Sequence, residues 1–326
     1  MSRSPLRALL LGALLPSLLC ACDPDITVEA LDTSEECVAL LPKPPLRPAL
    51  AQVEVPATAL CGEATTDDFG ELYVTERAAS PSEPGSWHQF NRDGSYDGRL
   101  SGSGRGELAP QYDGYHALRH DLSGGSRLEV LRHGELPSST QVDPLGRPVQ
   151  RVDLAGAPEL GSLTVASATT STAGDWALSA IRHAPWGERW SAQSEVASGP
   201  AGAAPRNLAG AADLHYRSLA VWETGGALYA RYLRLTGSDL GAAFPVPGVP
   251  ALAPLTLQPL LDGSVALKAA GSWRTRFSFA GTPALSAPPA WLVATGDSTL
   301  ALVRNRQGYA VLPPPGVSSP TCSQQV

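Results

Sequence analysis

Short runs of alternating apolar and polar residues, each closed by a Gly- or Asp-containing turn, recur along this chain from about Val55 onward. The clearest run is Leu219-Ala220-Val221-Trp222, a turn over Glu223-Thr224-Gly225-Gly226, and a second strand from Ala227 to Leu235. In that second strand Leu228, Ala230 and Tyr232 share one face, and Tyr229, Arg231, Leu233 and Leu235 share the other, which is the period of two of a strand. A second copy predicts a strand at Trp291 to Ala294, a turn at Thr295 to Ser298, a strand at Thr299 to Arg304, a turn at Asn305 to Gly308 and a last strand at Tyr309 to Leu312. A third runs from Tyr115 to His120, turns over Asp121 to Ser126, and returns over Arg127 to His133. Looser copies place turns at Asp67 to Gly70, Ser171 to Asp175 and Asp262-Gly263. Pro and Gly interrupt every stretch of ten residues that could be an amphipathic helix, so none of that length is predicted.

Six such units, spaced about 34 to 55 residues apart, predict an all-β fold: a β-propeller of about six irregular blades. A ring of blades closes on itself and leaves no long edge exposed. Tandem β-sandwich domains are the alternative that the same strands allow. A tryptophan falls in most units (Trp87, Trp176, Trp222, Trp273 and Trp291), the expected position for side chains that fill the space between blades. Trp186 and Trp190 flank Gly187-Glu188-Arg189 in a turn-rich stretch and are the pair predicted to touch a ligand.

The first residues follow a different pattern. Arg3 and Arg7 precede an uncharged apolar run from Ala8 to Leu19, the n-region and h-region of a signal peptide, too short to span a bilayer. The run ends in Leu19-Cys20-Ala21-Cys22. These four residues resemble the lipobox of bacterial lipoproteins, with Leu three positions before the cut, a small residue just before it and a Cys after it. The resemblance implies cleavage between Ala21 and Cys22 and a diacylglyceryl thioether on the Cys22 sulfur. Two or three acyl chains then anchor the protein to a membrane of the bacterial cell envelope, inner or outer being left open, because each buried methylene contributes about 0.8 kcal/mol. An ordinary secretory signal cut after an A-x-A-like site is the alternative, to which Leu19 is a poor fit. Taken with the repeats, the chain resembles bacterial envelope lipoproteins that carry β-propeller domains. The organisation expected is a signal peptide over 1–21, an acidic and Pro-rich tether over 22–56, and the propeller-like domain over 57–326.

Composition changes this picture little. Thirty-two Gly and 30 Pro imply many turns, and 43% apolar residues imply a real core. The formal charge of −7 argues against nucleic acid and against an anionic lipid surface as partners. Lys43 and Lys268 are the only lysines, which reads as coding bias without chemistry. With Cys20 lost in the leader and Cys22 acylated, Cys37, Cys61 and Cys322 allow one disulfide in an exported protein. A Cys37–Cys322 bridge closes the longest loop and restrains the unfolded chain most. Cys61–Cys322 and Cys37–Cys61 stay open.

Candidate chemistry is sparse. Asp93-Gly94-Ser95-Tyr96-Asp97-Gly98 places oxygen donors at Asp93, Ser95 and Asp97 with a Gly at the sharp turn, like the opening of a calcium loop. The twelfth position is Gly104 instead of a bidentate Glu, so a polar hairpin turn between strands near Phe90 and Leu100 competes with calcium as its role. His116 and His120 read as two positions of one strand, about 13 Å apart, and not as zinc ligands on a helix. No G-x-S-x-G elbow and no phosphate-binding loop in a strand-to-helix context occurs. No catalytic residue and no cofactor other than calcium is assigned. The expected function is a lipid-anchored, non-enzymatic binding or scaffold module for a protein or glycan partner. The alternative is an envelope hydrolase or carbohydrate-binding protein that uses the propeller's central channel.

Replacing Cys22 by Ala removes the acylated sulfur. The C22A protein is expected to leave the membrane fraction and lose palmitate labelling; an unchanged labelled band in membranes contradicts the anchor.

Overall fold

The computed structural model describes residues 49–56, 59, 64–66, 70–76, 86–101, 108–110, 115–122, 125–132, 138–141, 149–157, 161–170, 172–183, 194–212, 217–234, 241–250, 255–295, 299–302, 307–312 and 315. β-Branched and aromatic residues at alternate positions, with glycines at the turns, give short strands that form six sheets among these residues. Strand β1 (Ala49–Glu54) comes first in the chain. The first blade is then β2 (Ala64–Thr66), β3 (Leu72–Glu76), β4 (Ser86–Phe90) and β5 (Tyr96–Ser101), paired in that order. The second is β6 (Leu108–Pro110), β7 (Tyr115–Leu122), β8 (Gly125–Arg132) and β9 (Ser138–Gln141). The third is β10 (Val149–Ala157), β11 (Gly161–Thr169), β12 (Trp176–His183) and β13 (Ser194–Gly199). The fourth is β14 (Asn207–Ala212), β15 (Ser218–Thr224), β16 (Ala227–Leu233) and β17 (Phe244–Pro245). The fifth is β18 (Leu255–Pro259), β19 (Val265–Ala269), β20 (Ser272–Phe279) and β21 (Pro283–Ser286), followed by a single helical turn, α1 (Ala290–Val293). The sixth holds β22 (Thr299–Leu302), β23 (Gln307–Leu312) and, as its outer member, β1.

The first strands of the blades, β2, β6, β10, β14, β18 and β22, lie beside one another in that order, and β22 returns to β2. The chain is therefore a six-bladed β-propeller, and tandem sandwiches are excluded. In a sandwich, sheets face each other in pairs; here successive blades share their cores. Leu163, Val165, Trp176 and Leu178 of the third blade pack on Ala220 and Trp222 of the fourth. The opposite face of the fourth, through Leu219, Val221 and Tyr232, packs on Val265, Leu267 and Phe277 of the fifth. Trp87, Trp176, Trp222 and Trp273 are all buried, as expected of residues that fill the space between blades. Trp176 is fitted so closely that a Cβ on the facing Gly199 would stand 2.7 Å from its ring.

Closure depends on β1. Residues 49–54 fall inside the stretch expected to be tether, yet they pair in parallel with β23 from Ala49 opposite Gln307 to Glu54 opposite Leu312. The Val55 N–H adds a bond to the Leu312 carbonyl at 3.1 Å. Val53 and Val55 bury their side chains with Leu72, Val74 and Phe90 of the first blade and Tyr309 and Val311 of the last. The Tyr309 hydroxyl lies 2.9 Å from the Gly70 carbonyl and 2.8 Å from the Arg92 carbonyl, so it ties β23 to two turns of the first blade.

The strand expected at Trp291 to Ala294 is α1 instead. Pro288 and Pro289 have no N–H to give to a ladder, and Pro289 takes the N-cap position. The turn closes through Leu292 N–H to the Pro289 carbonyl and Ala294 N–H to the Ala290 carbonyl, both at 3.0 Å. It then buries Leu292 against Leu260, Ala266 and Trp273. The turn expected over Asp121 to Ser126 is also tighter, because Asp121 pairs with Ser126 and Leu122 with Gly125.

Tyr309→Phe keeps the ring and removes the donor shared by two carbonyls. It is expected to cost about 1–2 kcal/mol, a fall of about 2–4 °C in Tm on thermal unfolding, and an unchanged Tm removes the hydroxyl from the closure.

Candidate functional site

On the face of the first blade that meets the sixth, apolar positions give way to polar ones along each strand. Leu72 and Val74 of β3 are followed by Glu76, and Phe90 of β4 is preceded by His88 and Ser86. The outer strand β5 reaches this face through a bulge. Gln89 pairs with Gly98 but Phe90 pairs with Tyr96, leaving Asp97 as the extra residue. An odd spacing of three normally puts two strand residues on opposite faces. The inserted residue brings Tyr96 and Arg99 to the same one.

The five polar side chains form one network. The Ser86 hydroxyl donates to Glu76 Oε2 at 2.6 Å. Arg99 Nε donates to the same oxygen at 2.8 Å, and Arg99 Nη2 lies 2.6 Å from it and 3.0 Å from Ser86 Oγ. His88 Nδ1 is 3.3 Å from the Tyr96 hydroxyl, while its Nε2 stands 3.6 Å from Glu76 Oε2, beyond hydrogen-bond reach. The Tyr96 ring leans edge-on against Phe90 at 5.4 Å yet stays 55% exposed. Burial of His88 pushes its pKa down; the Glu76 carboxylate opposes this and the Arg99 cation adds to it. The imidazole is therefore neutral at pH 7.

Ser86 is not set as a nucleophile in this arrangement. A nucleophilic serine needs its proton aimed at a base that a third group orients. Here the Ser86 proton goes to a carboxylate already held by arginine. Arg99 is more than half exposed while its head is fixed by Glu76 and Ser86, so the network presents a rigid guanidinium edge next to an open aromatic face.

Of the residues singled out from sequence, Cys22, Cys37, Cys61, Cys322, Trp186 and Trp190 lie outside the described residues. Asp93, Ser95 and Asp97 are placed in and after the turn between β4 and β5. The Ser95 N–H and hydroxyl both bond to Asp93 Oδ1, at 2.9 and 2.5 Å, and these bonds, the hydroxyl's first, hold the Asp93 carboxyl below its usual range. Asp97 is the exposed bulge residue. The same Asp-Gly-Ser turn recurs at Asp262-Gly263-Ser264, with Ser264 bonded to Asp262 Oδ1 through both N–H and hydroxyl. Gly94 and Gly263 both take φ near the same positive value, +83° and +80°. Among the described residues no group of three or more His, Cys, Asp or Glu is placed to hold a metal. His116 and His120 lie on a strand, β7. Sequence reasoning missed Glu76, Ser86, His88 and Arg99. They belong to no motif, and only the Ser86-x-His88 alternation hinted at a shared face.

No protein-family model matches the chain, and no curated protein matches its sequence. Solved structures do. An α-L-arabinofuranosidase of Fusarium graminearum overlays with a TM-score of 0.49 at 13% identity, covering 84% of this chain and 95% of its own. An α-L-arabinanase of Penicillium chrysogenum gives 0.46 at 11% identity, covering 83% and 88%. An endo-arabinase of Bacteroides thetaiotaomicron gives 0.44 at 12% identity, covering 73% and 97%. Overlays this loose transfer no residue role.

The lowered pKa of His88 makes stability depend on pH. The unfolded chain binds this proton near pH 6.5 and the folded chain only at lower pH, so the His88 contribution is intact above about 6.5 and is lost as pH falls below it. In urea unfolding between about pH 5 and 8, wild type is expected to lose more stability toward pH 5 than His88→Gln; parallel curves contradict this.

Proposed function

We propose that this chain is a lipid-anchored propeller of the bacterial envelope that binds a glycan and carries out no hydrolysis of its own. One observation supports binding over catalysis. Most glycosidases use two carboxyl groups about 5–9.5 Å apart across the scissile bond. Of the innermost strands β2, β6, β10, β14, β18 and β22, only β10 carries ionisable residues, Arg151 and Asp153, and so these strands contain a single carboxylate. In the seam network Glu76 is engaged by Arg99 and Ser86, and Glu71, held by Tyr73 and Gln89, lies on the other face of the blade.

Glycan is favoured over protein as partner by Tyr96. Tyr96 and Val293 are the exposed large hydrophobic residues among those described, and Tyr96 alone stands beside fixed polar groups. A sugar ring offers an apolar face for stacking and hydroxyls at its edge, which match the tyrosine ring and the Arg99 guanidinium. Hydrolysis is the outcome that the experiment must exclude.

The mature chain, solubilised in detergent, is run through native gels containing single soluble polysaccharides, arabinan among them, and reducing ends are measured in parallel. Retardation by at least one polysaccharide without new reducing ends is expected, with Tyr96→Ala weakening retention about tenfold, the order of one stacking contact. Retardation by none overturns glycan binding. Reducing ends released by wild type but not by Asp153→Asn make the protein a hydrolase.

A further inference from the structure

Asn207 opens β14 and stands opposite Glu223 of β15 in the ladder. Opposed side chains on neighbouring strands lie about 4.5–5.5 Å apart at Cβ and share one face. Along that face Ala211, Leu219 and Val221 pack into the apolar layer formed with Val265, Leu267 and Phe277 of the fifth blade. The two polar side chains thus cap this layer at its end, and both are buried, at 3% and 2% exposure. Glu223 Oε1 accepts the Gly226 N–H at 3.2 Å. Glu223 Oε2 and Asn207 Oδ1 are buried with no hydrogen-bond partner.

Two acceptors cannot satisfy one another, and a carboxylate oxygen buried without a positive partner is strongly unfavourable. Both oxygens are acceptors that face neither a donor nor a cation among the described residues. Carboxylate and amide oxygens are hard donors and select hard cations. The pair carries one formal negative charge, which a monovalent ion neutralises and a divalent ion overshoots. Gly225 and Gly226, in the turn just beyond Glu223, have open space where side chains would stand.

We propose that Glu223 Oε2 and Asn207 Oδ1 hold a monovalent cation, sodium or potassium, between the fourth and fifth blades, with water completing its shell. The ion joins the end of one blade's inner hairpin to the layer it shares with the next.

Thermal unfolding of the mature chain is compared in sodium, potassium and tetramethylammonium chloride at one ionic strength of about 0.15 M, so that screening is constant. The tetramethylammonium ion is too large and too weakly coordinating for the site. Wild type is expected to melt about 2–4 °C lower in tetramethylammonium than in at least one alkali salt. Glu223→Gln removes the charge at constant shape and supplies an amide donor to Asn207 Oδ1, so its Tm is expected to be equal in all three salts. Asn207→Asp adds a second carboxylate and is expected to steepen the salt dependence. A wild-type Tm that is the same in all three salts overturns the site, and means that the Asn207 amide is turned over to donate to Glu223. A salt response retained in full by Glu223→Gln also overturns it, by placing the cation elsewhere.

Discussion

A propeller exists only if its last blade meets its first, and in this chain that contact is made by six residues near the start of the fold. Strand β1 reaches across the sequence to lie along β23, the one parallel ladder among the described strands. Val53 in that strand and Val55 just after it complete the core between the sixth and first blades. Tyr309 adds a polar clasp, with one hydroxyl placed between the carbonyls of Gly70 and Arg92. Ring closure of this kind leaves each inner strand with a neighbour on either side and spares the sheets from edge-to-edge association. It also concentrates long-range order at one seam, because every other blade is a local meander.

Between the remaining blades, arginine supplies much of the polar stitching. Arg182 of the third blade is buried and donates through Nε and Nη2 to Ser218 of the fourth, at 3.0 and 2.8 Å. Arg231 of the fourth returns a bond to the Val196 carbonyl of the third at 2.7 Å. Arg217 reaches the Phe279 carbonyl of the fifth at 2.8 Å while its guanidinium lies 4.9 Å from the Phe279 ring centre. These contacts draw on the planar fork and several fixed donors that lysine lacks, and Arg217 adds a stack on the Phe279 ring. The scarcity of lysine, which reads as coding bias in the sequence, therefore has a structural counterpart.

The ring was legible because strand periodicity and turn residues are local properties. Six turn signals matched six blades, although they do not occupy equivalent positions: Asp67 to Gly70 and Asp262-Gly263 join first to second strands, Ser171 to Asp175 and Glu223 to Gly226 join second to third, and Thr295 to Ser298 leads into β22. The count follows the blades because five of the signals fall between two strands of one blade and the sixth falls just before the last blade. Strand β1 was read as tether because its partner lies more than 250 residues away, and no local pattern reports such a pairing. Trp291 looked like a strand start because its apolar neighbours suit either structure, and the two preceding prolines decided for a helical turn. The polar network at the seam was hidden for a related reason. Tyr96 and Arg99 share a face only through a bulge, and Glu76 meets Ser86 only through strand pairing.

The candidate ligand face and the closing contact are one region: Phe90, which supports the Tyr96 ring, belongs to the same core cluster as Val53, Val55 and Tyr309. A seam that opened would carry the Glu76–Arg99 network with it. Amide hydrogen exchange of residues 49–54 tests this most directly. If β1 closes the ring, its amides exchange only with global unfolding, at the same free energy as those of β15 in the fourth blade. Exchange of residues 49–54 at the rate of an unprotected chain, while β15 stays protected, contradicts closure through β1.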